Sequence, residues 1–417
     1  MAEPNQISLL MQRIVERTNL QRALKQVRRN KGAPGVDGMT VEGLPKYLKQ
    51  HWLQLREQLI AGRYKPQPVK RVEIPKANGK MRKLGIPTVV DRFIQQAIAQ
   101  VLSEHWETVF HPSSFGFRPN KSAHQAIRHV QHFARDGYRI VVDLDLASFF
   151  DEVNHDRLMA TLKRTHPECD VLRLINRYLK APVQLNDQRI TSTKGVPQGG
   201  PLSPLLANIV LNELDWELDK RQLRFARYAD DCQILVGSYR AGERVMASLT
   251  RFIEKTLKLK VNHEKSAVAA VHKRGFLGFT LARKDKRIKV SDKSLSKLKA
   301  TVRTVTRRTR GRSFNYILEE LKKSLLGWKA YFDISEVLSP LKDADKWIRR
   351  KLRCYLWKQW GRSGYRRLRH LGVDRFLAWN TAKSAHGPWR LSKSPALYSA
   401  LPNRYFRSLG LPELAAR

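Results

Sequence analysis

The sequence predicts an α+β protein, with an antiparallel sheet in its central part and a basic helical region after it. Aromatic and β-branched residues flank Asp230 and Asp231 on both sides, as in two strands joined by a turn. An apolar run at 140–146 has the alternation of a strand. After Asp292 the apolar residues recur at helical spacing. These three segments make α+β the expected fold class.

The N-terminal part begins with a predicted helix and leads to a predicted hairpin. Leucine and isoleucine side chains at helical positions predict one amphipathic helix over residues 7–30, and a glycine-rich loop at 31–38 follows it. Residues 71–87 are expected to form a hairpin that turns at Asn78-Gly79, because that dipeptide suits a tight hairpin turn.

Asp230 and Asp231 are the first candidate site residues. Two adjacent carboxylates repel each other and add nothing to a hydrophobic core. A divalent cation is the usual reason for assembling them, because it cancels the repulsion. Taken alone, an aspartate pair in a turn is more often ordinary turn chemistry. The interpretation therefore depends on a second acidic strand end.

That second acidic segment is the strand at 140–146, whose polar face carries Asp143 and Asp145. Asp145 lies near the end of the strand, where a carboxylate can face an open cleft. A solvated strand face is the alternative explanation. With Asp230 and Asp231, Asp145 completes the set that phosphoryl transfer needs, in which two metal ions about 3.5–4 Å apart hold the attacking hydroxyl and the leaving pyrophosphate.

A glycine- and proline-rich loop and an apolar helix lie between the two acidic segments. The loop, from Lys194 to Ser203, places Gly199 and Gly200 ahead of a helix that is expected to begin near Pro204. Glycines in such a place allow the backbone to approach a bulky ligand, although ordinary turn chemistry explains them equally well. The order of the three elements decides between these explanations.

The composition indicates a nucleic-acid-binding protein. A formal net charge of +42 and a pI near 10.6 on 417 residues are expected of a chain that neutralises many phosphates. A membrane-surface protein is disfavoured, because the charge is spread over the chain and no apolar run of about 18 residues is present. No secretory signal is visible, and the scattered cysteines favour neither disulfides nor a zinc site, so we expect a reducing, cytoplasmic setting.

The basic helical region has the composition of a phosphate-facing surface. Residues 301–370 contain 19 lysine and arginine residues against 6 aspartate and glutamate residues. On the helix predicted around 345–356, apolar residues occupy one side, and Arg349, Arg350 and Arg353 are predicted to contact nucleic acid. A solvated helix face is the alternative explanation.

The tail after residue 361 mixes aromatic and basic residues. Trp379, Trp389 and Phe406 are interleaved with arginines and lysines, which suits stacking on bases together with phosphate contacts. A small appended domain that packs on its aromatic residues is an equally good explanation.

The order of an acidic strand, a glycine- and proline-rich loop with its helix, and the aspartate turn at 228–231 resembles the palm of a reverse transcriptase. In detail the chain resembles the group II intron reverse transcriptase/maturase family, and the resemblance covers nearly all of it. Residues 30–38 are similar to the family's N-terminal extension loop, and residues 74–87 to its fingers hairpin. Residues 114–119 and 275–279 are similar to two more polymerase blocks, and residues 327–332 to the start of the thumb. So many short matches in the right order make chance agreement negligible.

The resemblance implies a right-hand polymerase. Its N-terminal extension and fingers would occupy residues 1–138, its antiparallel-sheet palm 139–290, and its helical thumb or maturase-specific domain 291–370. A small C-terminal extension, with nucleic-acid binding as one expected role, would cover 371–417. No paired cysteines of an HNH-type endonuclease follow the thumb, so we expect no endonuclease domain in this sequence.

The resemblance also implies roles for single residues. It places two Mg²⁺ ions on Asp145, Asp230 and Asp231. Around the incoming dNTP it places Gln198 beside the nucleotide and Phe150 where its bulk excludes a 2′-hydroxyl. It implies that Lys265 neutralises phosphate charge and that Lys76 and Arg82 bind the triphosphate. Edge-strand charge is the alternative for the last two, and a core position is the alternative for Phe150. Arg118 is expected to contact nucleic acid.

The implied function is that of an RNA-directed DNA polymerase that extends a primer 3′-hydroxyl with dNTPs. A second implied activity is that of a maturase, which binds group II intron RNA to assist its splicing and mobility. The expected partners are the intron RNA, an RNA template with a DNA primer, dNTPs and a DNA target, and no membrane is expected. We expect a bacterial, cytoplasmic location on the nucleoid.

Three alternative functions compete with this one. A viral RNA-dependent RNA polymerase shares the palm, but it usually has glycine before its aspartate pair, where this chain has Ala229, and it lacks the thumb motif with Trp328. A maturase with a vestigial polymerase site is disfavoured by the intact carboxylates and Gln198. A domesticated host reverse transcriptase in DNA repair or defence stays open, because only the flanking DNA separates it from an intron-encoded enzyme.

Overall fold

The computed structural model divides the chain into two compact units, one that ends at Ala270 and one that begins at Val271. The described residues are 8–75, 79, 81–185, 188–191 and 193–416. The predicted domain boundaries after residues 138, 290 and 370 are finer than this division, and they stay predictions.

The N-terminal unit consists of helices around two sheets. Its helices are α1 Leu9–Ile14, α2 Arg17–Arg29, α3 Leu44–Ile60, α4 Val89–Val109, α5 Ala123–Arg135, α6 Phe149–Glu152, α7 His155–Thr165, α8 Cys169–Leu179, α9 Ser203–Lys220 and α10 Tyr239–Phe252. Its strands are β1 Val69–Pro75, β2 Met81–Ile86, β3 Ile140–Leu144, β4 Val183–Leu185, β5 Gln188–Ile190, β6 Arg224–Tyr228, β7 Asp231–Val236 and β8 Ala267–Ala270.

The sheet that carries the predicted site is antiparallel, with the strand order β6-β7-β3-β8. Val141 and Val142 of the central strand β3 pair with Leu235 and Ile234 of β7, and all four side chains are buried. Apolar β-branched side chains fit such a covered pleated surface. The predicted antiparallel palm sheet is confirmed.

The second sheet has the order β2-β1-β4-β5. β1 and β2 form the antiparallel hairpin that was predicted for residues 71–87, and most of its turn lies outside the described residues. β4 joins β1 in parallel through the pair Val69 and Val183. The strands β4 and β5, within the predicted palm range, thus extend the sheet of the predicted fingers.

The prediction of one helix over residues 7–30 is wrong, because the chain bends between α1 and α2. Glu16, just before α2, has an extended backbone with φ −64° and ψ 138°. The buried side chain of Asn19 donates hydrogen bonds to the carbonyl oxygens of Ile14 and of Ala97 in α4, at 2.9 and 3.1 Å. The bend therefore lets α2 pack on α4 while the end of α1 keeps a hydrogen-bond partner.

The C-terminal unit is mainly helical, as predicted for a thumb. The strands β9 Phe279–Leu281 and β10 Ile288–Val290 form a short antiparallel pair. The helices are α11 Asp292–Val305, α12 Phe314–Phe332, α13 Ser339–Trp360, α14 Gly364–His370, α15 Arg375–Lys383, α16 Pro388–Leu391, α17 Pro395–Ala400 and α18 Asn403–Ser408. Within the described residues of the chain, no helix is long and apolar enough to cross a membrane.

The tail after α14 packs on α13. Asp345 accepts hydrogen bonds from the backbone N–H groups of Leu414 and Ala415, at 2.9 and 3.1 Å. Phe406 is buried, whereas the indole of Trp379 is half exposed. The explanation that the tail is a small domain packed on its aromatic residues therefore holds for Phe406 but not for Trp379.

Candidate active site

The aspartate pair lies at the tip of the hairpin formed by β6 and β7. Tyr228 pairs with Asp231, so Ala229 and Asp230 form a two-residue turn. Ala229 has a left-handed backbone with φ 57°, a conformation that the tight hairpin turns require at a central position. For a residue with a side chain this conformation costs about 1–2 kcal/mol, so other contacts must stabilise the turn.

Buried polar side chains stabilise this turn from behind. Arg227, fully buried in β6, forms a two-point ion pair with Asp215 of α9, with N–O distances of 2.6 and 2.5 Å. Its guanidinium also donates to the carbonyl oxygen of Ala229 at 2.8 Å, and to side-chain oxygens of Asn208 and Ser114 at 3.0 and 2.7 Å. Through these contacts α9 fixes the backbone of the aspartate turn.

The predicted block at 114–119 packs directly against the same turn. The N–H of Phe115 donates to the carbonyl oxygen of Arg227 at 2.8 Å, and the Asn208 side chain donates to the carbonyl of Gly116 at 2.8 Å. A Cβ at Gly116 would collide with the backbone nitrogen of Ala229. Glycine is therefore required for this close approach of two backbones.

Asp145 follows β3 and lies at the same end of the sheet as the aspartate turn. Leu144 pairs with Cys232, so the register places the next residue, Asp145, beside Asp231. The hydroxyl oxygen of Ser266 accepts a hydrogen bond from the N–H of Asp145 at 3.0 Å. The sheet thus brings together the three carboxylates that the sequence singles out.

The electrostatics of the site show how close these carboxylates are. Burial raises the pKa of Asp231 to about 6, and the negative charges of Asp230, Asp143 and Asp145 add to the effect. The Lys265 ammonium opposes the shift and lies 3.6 Å from the nearer carboxylate oxygen of Asp145. The site therefore concentrates negative charge that a single lysine does not balance.

These carboxylates fit a divalent cation. The side chains are oxygen donors, the ligands that hard cations such as Mg²⁺ prefer. A dication would also relieve the repulsion between the carboxylates, which adds to the effect of burial on the pKa of Asp231. Among the described residues, no group of three or more acidic, histidine or cysteine side chains is already arranged to hold an ion. The fit therefore depends on the chemistry and the electrostatics of the donors.

A cavity of about 1080 Å³ in the N-terminal unit brings Phe150 and Gln198 together. Phe150 is half buried and lies edge-on to the buried Phe149, with 5.2 Å between ring centres. The carbonyl oxygen of Gln198 accepts a hydrogen bond from the N–H of Gly85 in β2 at 2.7 Å. A Cβ at Gly199 would collide with the Gly85 carbonyl, so this loop needs glycine to reach the β1–β2 hairpin.

The two cations predicted for the triphosphate are only partly placed. Lys76 lies outside the described residues. The backbone of Arg82 pairs with Ile74 in the β1–β2 hairpin. Their proposed role therefore depends on the family resemblance.

Arg118 requires a correction, because its guanidinium binds inside the protein. The side chain is only 6% exposed and forms a salt bridge with Glu107 at 3.0 Å. It also donates to the carbonyl oxygens of His111 and Ser114, at 2.7 and 2.9 Å. Arg118 therefore joins the 114–119 block to the end of α4 and does not present its charge to nucleic acid.

The three arginines of α13 also require a correction, because they face the C-terminal tail. Arg353 is buried and donates to the carbonyl oxygen of Leu401 at 2.9 Å. Arg350 stacks on Trp389, with 3.7 Å from its guanidinium carbon to the ring centre. Arg349 is 12% exposed and pairs with Glu413. The structure contradicts the prediction of a phosphate-facing arginine surface, since the tail covers this side of the helix.

Sequence reasoning missed the Arg227–Asp215 pair. The sequence does contain a sign of this pair, because both residues are charged and have apolar neighbours. Arg227 lies in a buried strand, and Asp215 lies among the apolar residues of α9. A buried charge is rarely present without a partner, but the sequence does not show which partner it has.

Two family models match the chain. Residues 74–281 match the model described as reverse transcriptase (RNA-dependent DNA polymerase). Residues 295–372 match the model described as group II intron, maturase-specific domain. The fold and the site thus define a reverse transcriptase joined to a maturase domain.

Curated proteins with similar sequences agree with the family models. Protein YkfC of Escherichia coli is 35% identical over an alignment of 323 positions that covers 67% of this chain and 84% of YkfC. The group II intron-encoded protein LtrA of Lactococcus lactis is 38% identical over 201 residues, which are 48% of this chain and 33% of LtrA. The chain belongs to the group II intron reverse transcriptase/maturase family.

A solved telomerase structure from Candida albicans shows a weaker likeness. It covers 70% of this chain and 59% of its own, with 14% sequence identity and a TM-score of 0.45. A TM-score this low carries no weight for the fold, which the family models establish.

Membership of the family confirms the main expectations from the sequence. The fold is a right-hand polymerase with fingers, an antiparallel-sheet palm and a helical thumb. The activities are RNA-directed DNA polymerisation, a reaction for which this family uses divalent metal ions, and a maturase function. A domesticated host enzyme is not favoured.

Proposed function

We propose that the chain extends the 3′-hydroxyl of a DNA primer with dNTPs on an RNA template at Asp145, Asp230 and Asp231. The observation that supports this most is the strand register, which places Asp145 beside Asp231 and next to the turn that carries Asp230. In the reaction the primer oxygen forms a bond to the α-phosphorus, pyrophosphate leaves, and the hydroxyl proton passes to solvent.

The three carboxylates would hold two Mg²⁺ ions. When bound, such ions stabilise the negative charge that develops on the attacking and leaving oxygens. The chain supplies a partly buried set of oxygen donors and the Lys265 ammonium, which lies 3.6 Å from Asp145 and is suited to neutralising phosphate charge. The Arg227–Asp215 pair keeps the turn, and with it Asp230, in place.

The nucleotide would bind in the cavity that Phe150 and Gln198 line. Phe150 would exclude a 2′-hydroxyl by its bulk, and Gln198 would lie beside the nucleotide. Lys76 and Arg82, which stand on either side of Asn78-Gly79 in the sequence, would bind the triphosphate, and the guanidinium suits a forked phosphate contact.

The same chain would bind group II intron RNA and a DNA target. Support comes from the net charge of +42 and from the maturase-specific domain, and LtrA is a group II intron-encoded protein. Binding to these polyanions would be electrostatic and strongly dependent on salt. A location on the nucleoid of a bacterial cytoplasm follows from such partners.

The proposal predicts the outcome of primer extension on an RNA template with dNTPs or rNTPs. The wild-type protein should add dNTPs when Mg²⁺ is present and stop when the metal is chelated. Replacing Phe150 by alanine should raise kcat/KM for rNTPs relative to dNTPs, because space opens beside the ribose C2′. Phe149→Ala is the matched control, since the neighbouring ring is buried in the core and should leave the sugar ratio unchanged.

Each result bears on a different part of the proposal. A folded wild-type protein that adds no dNTP on any RNA template contradicts the polymerase function. If extension is present but the sugar ratio is the same in both variants, Phe150 is a core residue and the sugar is selected elsewhere.

A further inference from the structure

The C-terminal unit contains a cavity of about 340 Å³ that no step of the proposed polymerase reaction uses. Thr306 at the end of α11 and Arg308 line one part of it. Lys351 and Cys354 of α13 line another part, and Trp389 of α16 contributes an indole. We call it the Lys351 cavity. The tail is therefore needed to complete it.

Cations gather around the Lys351 cavity. The Lys351 ammonium lies 4.9 Å from the ring centre of Trp389 and 5.6 Å from that of Trp347. The Arg303 guanidinium of α11 lies 5.5 Å from the centre of the same Trp347 ring. Burial lowers the pKa of Lys351, and the charges of Arg303 and Arg308 lower it further. These positive groups are thus close enough to repel one another.

No acidic side chain among the described residues forms a salt bridge with these cations, which are Arg303, Arg308 and Lys351. Several acidic groups in the same unit are paired with other cations, such as Glu320 with Arg310 at 3.0 Å and Glu319 with Lys322 at 2.6 Å. The aromatic rings stabilise Lys351 in part, because their faces attract cations, but they carry no net negative charge.

The other groups in the wall are neutral or already bonded. Burial raises the pKa of the Cys354 thiol, which keeps it protonated near neutral pH. The Thr306 hydroxyl donates to the carbonyl oxygen of Val302 at 2.6 Å. Arg350 covers Trp389 and donates to the carbonyl oxygen of the same residue at 3.0 Å. The cavity therefore offers only positive or neutral groups to a ligand.

We propose that the Lys351 cavity binds a phosphate group. A cavity with converging cations and no carboxylate favours an anion, and its volume leaves room for a phosphate with part of an attached nucleoside. Two sources share this chemistry, a nucleic-acid backbone and free phosphate. That the phosphate belongs to a nucleic-acid backbone rests on the proposed function. That the cavity binds an anion is supported by the contacts described above.

Thermal unfolding of the full-length chain tests the anion site. Inorganic phosphate, compared with chloride at matched ionic strength, should raise the Tm of the wild-type protein, because a ligand of the folded state stabilises it. Arg308→Gln/Lys351→Gln should lose this increment. The double variant Lys342→Gln/Lys346→Gln should keep it, since it removes two exposed lysines of α13 outside the cavity. Arg308→Gln alone changes only an exposed side chain, so it keeps the test valid if the double variant folds poorly.

The salt dependence of RNA binding distinguishes the two sources. The slope of log Kd against log salt concentration is measured for both double variants. If the cavity holds a backbone phosphate, this slope should be smaller by about 0.7–0.9 per lost contact in Arg308→Gln/Lys351→Gln. The slope of the control Lys342→Gln/Lys346→Gln should change less. A specific phosphate effect on Tm with equal slopes supports the site and assigns it to free phosphate. Equal behaviour of the cavity and control variants in both measurements overturns the proposal. Neither readout requires nucleotide addition, so a failure of the polymerase assignment would be seen separately.

Discussion

Replacing Asp230 by alanine is expected to abolish extension of a primer on an RNA template. Asp230 stands in the turn between β6 and β7, beside Asp231, whose pKa is raised first by burial and then by the negative charges of Asp230, Asp143 and Asp145. Loss of a metal ligand forfeits several kcal/mol of transition-state stabilisation, so the rate should fall by at least about a hundredfold. Single-nucleotide incorporation under single-turnover conditions measures the loss without a contribution from product release.

The control for this variant is Asp136→Ala, which removes an exposed carboxylate after α5. It should extend the primer at the wild-type rate, and both variants should bind the primer–template with nearly the wild-type affinity. Extension by Asp230→Ala above about a hundredth of the wild-type rate would remove Asp230 from the proposed metal site.

The second large effect is expected at Arg227, which sequence reasoning overlooked. Arg227→Met leaves the buried carboxylate of Asp215 without its partner, and breaking a buried pair in this way costs about 3–5 kcal/mol. Arg227→Met/Asp215→Leu removes both charges and should recover much of that stability. Denaturant unfolding of the three proteins measures the difference in the free energy of unfolding.

The folded double variant then separates stability from positioning. Its turn lacks the hydrogen bond to the Ala229 carbonyl, so extension should stay reduced, by about 10- to 100-fold for a displacement near 1 Å. The control Arg221→Met/Glu217→Leu removes a partly exposed pair at the C-terminal end of α9 and should cost about 1 kcal/mol or less. Wild-type extension by a folded Arg227→Met/Asp215→Leu protein would show that the pair serves the fold alone.

The features that the sequence predicted well are local ones. Strand alternation and an aspartate pair between two apolar runs are sufficient to place Asp230 at a hairpin turn. The position of Asp145 near a strand end follows from the same alternation, although its place beside Asp231 depends on which strands pair. The helix that was predicted to begin near Pro204 begins at Ser203, because the apolar periodicity and the proline mark its first turn.

The features that the sequence did not predict depend on distant partners. Arg353 and Lys346 occupy the same basic helix, yet the tail buries Arg353 and leaves Lys346 exposed. Helical periodicity shows which residues share a face, but not which segment will cover that face. Likewise, the bend before α2 depends on a hydrogen bond from Asn19 to Ala97, far along the chain.

In the proposed function the carboxylates make DNA, while basic surfaces elsewhere bind the intron RNA. A splicing assay with Asp230→Ala, at near-physiological Mg²⁺ and with a group II intron RNA that the wild-type protein binds and helps to splice, separates these two roles. We expect splicing at the wild-type rate from the variant that has lost primer extension, because the aspartate contributes nothing to phosphate binding. If Asp230→Ala remains folded and loses splicing together with extension, the two activities share one site and the account is contradicted.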